Sequence, residues 1–321
     1  GKEGADGNEM TNPVTAQMRA MDGINPFDPC FDEAVAAGVT CAVTGPGSAN
    51  VIGGQFVAMK TYGKTIEDMI IKEPAAMKAA TGENPKRVYS AQKATPSTRM
   101  ATAAILRQAL TDAEEYAKKL ELGRDDPSKL PARDLGKEAM LAVLRRELTL
   151  KIHAHRKDDI LTALRIAREF NIRITLEHCT EGYLIADILK EQTEQLGAGV
   201  IIGPLLSERS KIELKNLSFK APARLYEAGI KFAMMTDHPV IPQQYLPVCA
   251  AIAVREGLPE EEALKSITIH AAEITGIDDR VGSIKIGKDA DIAVFNGDPL
   301  DVRTSCILTL INGKVVHDKR G

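Results

Sequence analysis

LKIHAHR at residues 150–156 and IRITLEHC at residues 172–179 decide the fold. Each is a short apolar run that stops at histidine. Between them, DDILTALRIAREF (158–170) repeats its apolar residues at helical spacing, and Asn171 marks a stop. Strand, helix, strand in this order is the unit of a parallel sheet. The pattern continues in both directions. Downstream, 200–202 ends at Gly203-Pro204 and 231–235 (KFAMM) ends at Thr236-Asp237-His238, with helices predicted over 181–192, 221–228, 245–256 and 260–267. Upstream, 39–43 runs into Thr44-Gly45-Pro46-Gly47-Ser48 and 75–80 runs into Thr81-Gly82-Glu83-Asn84, with helices at 98–122 and 135–148. A further strand at 55–60 is expected to pair with 65–72 as an excursion outside the main sheet.

These strands are short, lack clean alternation and are apolar on both faces, as buried parallel strands are. Reactive residues gathered at strand C-terminal ends predict an α/β protein with a (β/α)8 TIM barrel rather than an open doubly wound sheet. Neither G-x-G-x-x-G nor G-x-x-x-x-G-K-[ST] follows a strand, so both nucleotide-binding loops are absent. At most seven of the eight barrel strands are legible, and the gap falls at the start. Residues 1–26 read as loop, there is no initiator Met, and the chain is expected to lack an upstream strand. After residue 280 the character changes: 282–294 reads as a turn-rich strand pair and 306–316 as another around Asn312-Gly313, a strong hairpin signal. The expected division is a barrel at 1–280 and the C-terminal portion of a small β-sandwich at 281–321.

Composition narrows the function. A net charge of −3, 4% aromatic residues and no Trp argue against a nucleic-acid surface. The longest apolar run, 246–254, is about half a bilayer span, so no membrane partner is expected. The five cysteines (Cys30, Cys41, Cys179, Cys249, Cys306) form no C-x-x-C pair, which speaks against a disulfide framework or a cysteine zinc site and for a reducing cytoplasm. A small-molecule substrate is expected, in a chain that is free to form a homo-oligomer.

Six histidines exist, and four of them, His153, His155, His178 and His238, sit at strand ends. His153 and His155 are two apart and project to one side of a strand. Imidazoles converging with Asp237 on one barrel mouth suit a divalent ion, most simply Zn, with Mn or Fe as alternatives. Each residue taken alone is more readily a hydrogen-bonded strand end, and it is the joint pattern that points to metal.

His153-Ala154-His155, Glu177-His178, Thr236-Asp237-His238-Pro239 and above all GSIKIGKDADIAV at 282–294 resemble the metal-dependent amidohydrolase superfamily, and within it the imidazolonepropionase-related amidohydrolases. The resemblance extends over about residues 30–318, and 267–276 fits the helix that follows the last barrel strand in that family. It implies a barrel carrying a small β-sandwich, and one or two metal ions that activate water against a cyclic amide, amidine or related C–N bond. Carried over by position, His153 and His178 are metal ligands, and Asp237 is both a metal ligand and the catalytic base. His155, Arg156 and His238 are then supporting or substrate-facing groups, and Lys78 is a candidate for the carbamylated lysine that some branches use. One departure stands out. The family's first strand ends in H-x-H, and no histidine precedes His153 here. A catalytically silent barrel used as a binding module, and a metal-free barrel enzyme using His and Asp as acid and base, are the competing expectations.

Overall fold

The computed structural model describes residues 6–320. Its main sheet has seven strands in chain order: β1 (Cys41–Thr44), β2 (Ile52–Lys60), β3 (Ile70–Ala80), β4 (Leu150–Ala154), β5 (Ile174–His178), β6 (Gly199–Ile202) and β7 (Phe232–Met234). The sheet curls strongly, as an incomplete TIM barrel does. From β3 to β7 every pairing is parallel. β2 runs against both neighbours, Cys41 facing Lys60 on one side and Ile52 facing Ala79 on the other. The expectation that 55–60 lies outside the main sheet is therefore corrected. The links on either side of β2 are too short for a crossover, which takes a dozen or more residues, so the chain can only meander there.

The helices are α1 (Pro29–Ala36), α2 (Ile66–Met69), α3 (Glu83–Ala91), α4 (Arg99–Asp125), α5 (Leu135–Leu144), α6 (Lys157–Glu169), α7 (Ala186–Leu196), α8 (Ala221–Glu227), α9 (Leu246–Arg255), α10 (Glu260–Ser266) and α11 (Ile269–Thr275). α6 shows why they form where they do. Asp158 and Asp159 stand in its first turn and Arg168 in its last, each favourable to the helix dipole, while Ile160, Ala163, Leu164, Ile166 and Ala167 bury one face. α4 starts at Thr98, whose hydroxyl accepts from the Ala101 N–H. The core lies between these helices and the outward residues of the strands, with Met77, Ala79, Leu150, Ile152, Ile174 and Leu176 at its centre. No helix among the described residues is long and apolar enough to cross a membrane.

Two further expectations change. The segment before residue 26 is not simply loop: Val14 and Arg19 bridge in parallel to Ile52 and Gln55, covering the edge of β2 that β1 leaves bare. A 3-10 turn, Ala20–Gly23, follows. The 282–294 segment is not a strand pair. Only β8 (Ile292–Phe295) is extended, and it joins β9 (Cys306–Ile311) and β10 (Lys314–Asp318) in an antiparallel three-stranded sheet of order β10-β9-β8. The residues ahead of β8 turn because their acids are engaged elsewhere. Lys60 meets Asp289 at 2.9 Å and Asp291 at 2.5 Å, and Arg280 holds Asp289 at 2.8 Å. The Asn312-Gly313 hairpin is as expected, with Asn312 at φ 51° and Gly313 at φ 75°. This sheet leans on α1 through the Thr309 hydroxyl, which donates to the Val35 carbonyl at 2.8 Å.

Candidate metal centre

Parallel strands bring their C-terminal ends to one rim, and the histidines of β4 and β5 meet there. Alternation along β4 turns Lys151 and His153 to the inner face, with His155 following. In β5 the same alternation assigns Glu177 inward and His178 outward. His178 escapes it through a left-handed backbone, φ 68°, followed by Cys179 at φ 45°. Such conformations are unfavourable for residues other than glycine and occur where surrounding structure enforces them, often at functional sites. The result is three rings with centroids 4.4–4.6 Å apart. Their ligand-capable atoms lie within 4.8 Å of one another.

All three histidines are buried, none more than 5% exposed. Burial, with the neighbouring imidazoles and Lys78 adding to it, pushes His153 and His178 well below the ordinary histidine range. His155 is pushed down to about 4, chiefly by burial, against an opposing pull from Glu213. Neutral imidazoles are what a metal requires. Their outer nitrogens are partly committed: His178 Nδ1 lies 2.8 Å from the Gly203 carbonyl and His155 Nδ1 lies 2.7 Å from the Thr180 hydroxyl. Gly203 reaches this position at φ 129°, where a Cβ would run into the Met235 carbonyl. His153 Nδ1 is buried without any partner. An orphaned ring nitrogen beside two neutral imidazoles fits a bound divalent cation.

The same burial makes a pH prediction. An unfolded imidazole takes up its proton near 6.5, whereas His155 in the fold resists until about 4. Across that window the unfolded chain binds more protons, so stability falls as pH drops through it. Thermal melts from pH 7 to pH 4 should show a falling midpoint that begins near 6.5. A flat midpoint down to pH 5 would contradict the buried, neutral state.

The other predicted residues are placed as follows. Asp237 and His238 follow β7 on the same rim, both exposed, with Asp237 at φ 54°. Asp237 stands outside the three-histidine group. Open to solvent on one side, its carboxyl is raised above the ordinary 3.8 by crowding on the other, while Lys78 and Lys211 oppose this. His238 Nδ1 accepts from the Gln243 N–H at 3.3 Å. Arg156 is occupied by Asp158 at 2.8 and 2.9 Å. Lys78 is buried on β3 in register with Lys151. Lys151 has Glu177 at 2.7 Å, whereas Lys78 has no ion-pair partner among the described residues. In the turn at 44–48 the Gly47 N–H donates to the Gly7 carbonyl, and just beyond it the Ala49 N–H donates to Asn8 Oδ1.

Two charged residues of the site, Glu213 and Lys211, were not marked by sequence. Glu213 is buried 3.7 Å from His155 Nε2 and 3.9 Å from His153 Nε2. Lys211 donates to Asn84 Oδ1 at 2.7 Å, and Asn84 Nδ2 donates to the Ser48 hydroxyl at 2.7 Å. In ERSKIELKN (208–216) these charges have the spacing of an ordinary surface turn, and nothing local announces that Glu213 folds inward.

A model of the amidohydrolase family (Amidohydro_3) matches residues 36–317. The chain belongs to the amidohydrolase family. It is similar to amidohydrolase tasK of Hapsidospora irregularis, 29% identical over 98% of the chain but only 34% of that protein. An imidazolonepropionase of Fusobacterium nucleatum is 41% identical over 24% of the chain and 19% of its own length. The chain thus spans about a third or less of these curated relatives. The crystal structure of an amidohydrolase from Thermotoga maritima superposes with a TM-score of 0.94 at 45% identity, covering 98% of this chain and 81% of that one.

Proposed function

We propose that this amidohydrolase is a metal-dependent hydrolase of a C–N bond in a cyclic amide, amidine or small peptide-like molecule. The observation that carries the reading is the trio of buried, neutral imidazoles at the rim, one with an orphaned nitrogen. His153 and His178 would hold the ion, with Asp237 as the carboxylate of the same rim. A bound divalent ion supplies Lewis acidity and draws the pKa of water down toward about 7. Zn suits nitrogen-rich donors; Mn and Fe also accept this ligand set. One ion satisfies the histidines, and a second becomes reasonable if Lys78 is carbamylated. Burial lowers Lys78 below the ordinary lysine value, which favours the uncharged amine that attacks CO2 and loses a proton to form the carbamate.

The chain's own residues divide the remaining work. Asp237 takes the proton of the incoming water and returns it to the leaving nitrogen. The Gly203 carbonyl fixes the His178 ring so that Nε2 faces the rim. Lys211, half-buried at the mouth, offers a cation to a polar substrate group. Elemental analysis of protein produced with added zinc and manganese should find one or two equivalents of divalent ion, removable by chelator with loss of turnover. A metal-free protein with full amidohydrolase activity would end the metal reading and favour His and Asp acting alone as base and acid.

A further inference from the structure

Glu213 is 1% exposed in the 3-10 turn Ile212–Leu214. One carboxylate oxygen, Oε2, accepts from the Glu83 N–H at 3.0 Å, at the start of α3. The other, Oε1, is buried and has no hydrogen-bond partner. Its neighbours are Nε2 of His155 at 3.7 Å, Nε2 of His153 at 3.9 Å and Lys211 Nζ at 3.9 Å. On the opposite side of the His153 ring lies the other orphan of this site, Nδ1.

A neutral imidazole carries its hydrogen on one nitrogen only, and its surroundings choose which. With the hydrogen on Nδ1, His153 would bury a donor that meets nothing and would turn a lone pair on Nε2 toward a carboxylate oxygen. With the hydrogen on Nε2, the carboxylate gains a donor in its field and Nδ1 keeps a bare lone pair. The Asn84 amide competes for His153 Nε2 at 3.4 Å, but its nearer acceptor is the Ser48 hydroxyl. For His155, an Nε2 hydrogen facing Glu213 leaves Nδ1 to accept from Thr180, whose hydroxyl can donate. At 3.7–3.9 Å no direct hydrogen bond is made, yet in a water-poor interior the electrostatic preference is large enough to select a tautomer.

We propose that Glu213 is the positioning carboxylate of this site: it holds His153 in the Nε2–H form and thereby presents Nδ1 to the ion. The proposal rests on the assignment of His153 as a ligand. Tautomer and ion binding are read separately, so the two can fail independently.

The test uses protein labelled with 15N-histidine, without added ion, with His153→Asn identifying the resonance. Long-range 1H–15N spectra should show Nε2 of His153 protonated and Nδ1 bare. Zn2+ titration should then show Glu213→Leu weakening binding by about 10- to 100-fold, the usual effect of removing a group that orients a ligand histidine. Glu213→Gln has one acceptor oxygen for two demands: with that oxygen on the Glu83 N–H, its NH2 turns toward His153 Nε2, so this near-isosteric variant should keep the fold yet lose the Nε2–H tautomer and weaken Zn2+ binding. An Nδ1–H form in the wild type would overturn the proposal, as would unchanged Zn2+ binding in Glu213→Leu. If Glu213→Leu does not fold because the Glu83 N–H loses its acceptor, the wild-type tautomer and the Gln variant decide. Wild-type protein that binds no Zn2+ would instead sink the metal assignment and leave the tautomer to be judged from the spectra.

Discussion

Asp237→Asn should lower kcat by at least about 100-fold while the melting behaviour stays close to wild type. Asn retains an oxygen for a cation but cannot accept a proton, so the substitution isolates the base function from the ligand function. The exposed position after β7 means that no core contact is disturbed. His238→Asn should cost less, about tenfold or below, since His238 is exposed and its Nδ1 serves the Gln243 amide. Steady-state kinetics on the two variants give the comparison. If His238→Asn is the more damaging, the roles at this strand end are reversed.

Lys60→Met should destabilise the fold by about 3–5 kcal/mol, the cost of stripping one partner from a buried ion pair. Lys60 is 1% exposed at the end of β2, and its ammonium faces Asp289 and Asp291. Asp289 keeps Arg280 after the substitution. Asp291, whose side chain is 5% exposed, keeps only the Asn312 N–H and the Cys41 thiol. It would therefore be left as a buried charge without a cation. The loss is measured by urea unfolding. Pairing Lys60→Met with Asp291→Leu should recover much of it, because two apolar groups replace a buried pair at little net cost. A loss below about 1 kcal/mol for the single variant would mean that water reaches this cluster.

These two sites also mark how far the sequence could be read. The histidine strands were legible because β4 and β5 are apolar runs that stop at imidazoles, and both chemistry and pattern survive in one dimension. The direction of β2 was not. Its composition is that of any buried strand, and only the shortness of the flanking links betrays the reversal. GSIKIGKDADIAV was misread as a strand pair because Ile284 and Ile286 alternate with polar residues, yet both are exposed. What shapes that segment is the distant Lys60, and long-range ion pairs leave no local periodicity. His155, expected as a supporting group, stands within the ring cluster, since one further residue beyond β4 still faces the same mouth. Glu213 was missed for the converse reason: a charged residue in a charged turn looks solvated until the fold closes over it.

The reversed β2 bears on the order in which the sheet is assembled. Closing a chain segment costs conformational entropy that grows with the logarithm of its length, and short antiparallel links keep that cost low. β1, β2 and β3 are joined by such links, whereas β4 must return across α3, α4 and α5 before it can pair with β3. On that ground the meander is expected to form before the parallel pairings, and it presents an edge at Met77–Ala80. The strands that carry the three histidines add to that edge in sequence, so the site comes into being on a template that contributes none of its imidazoles.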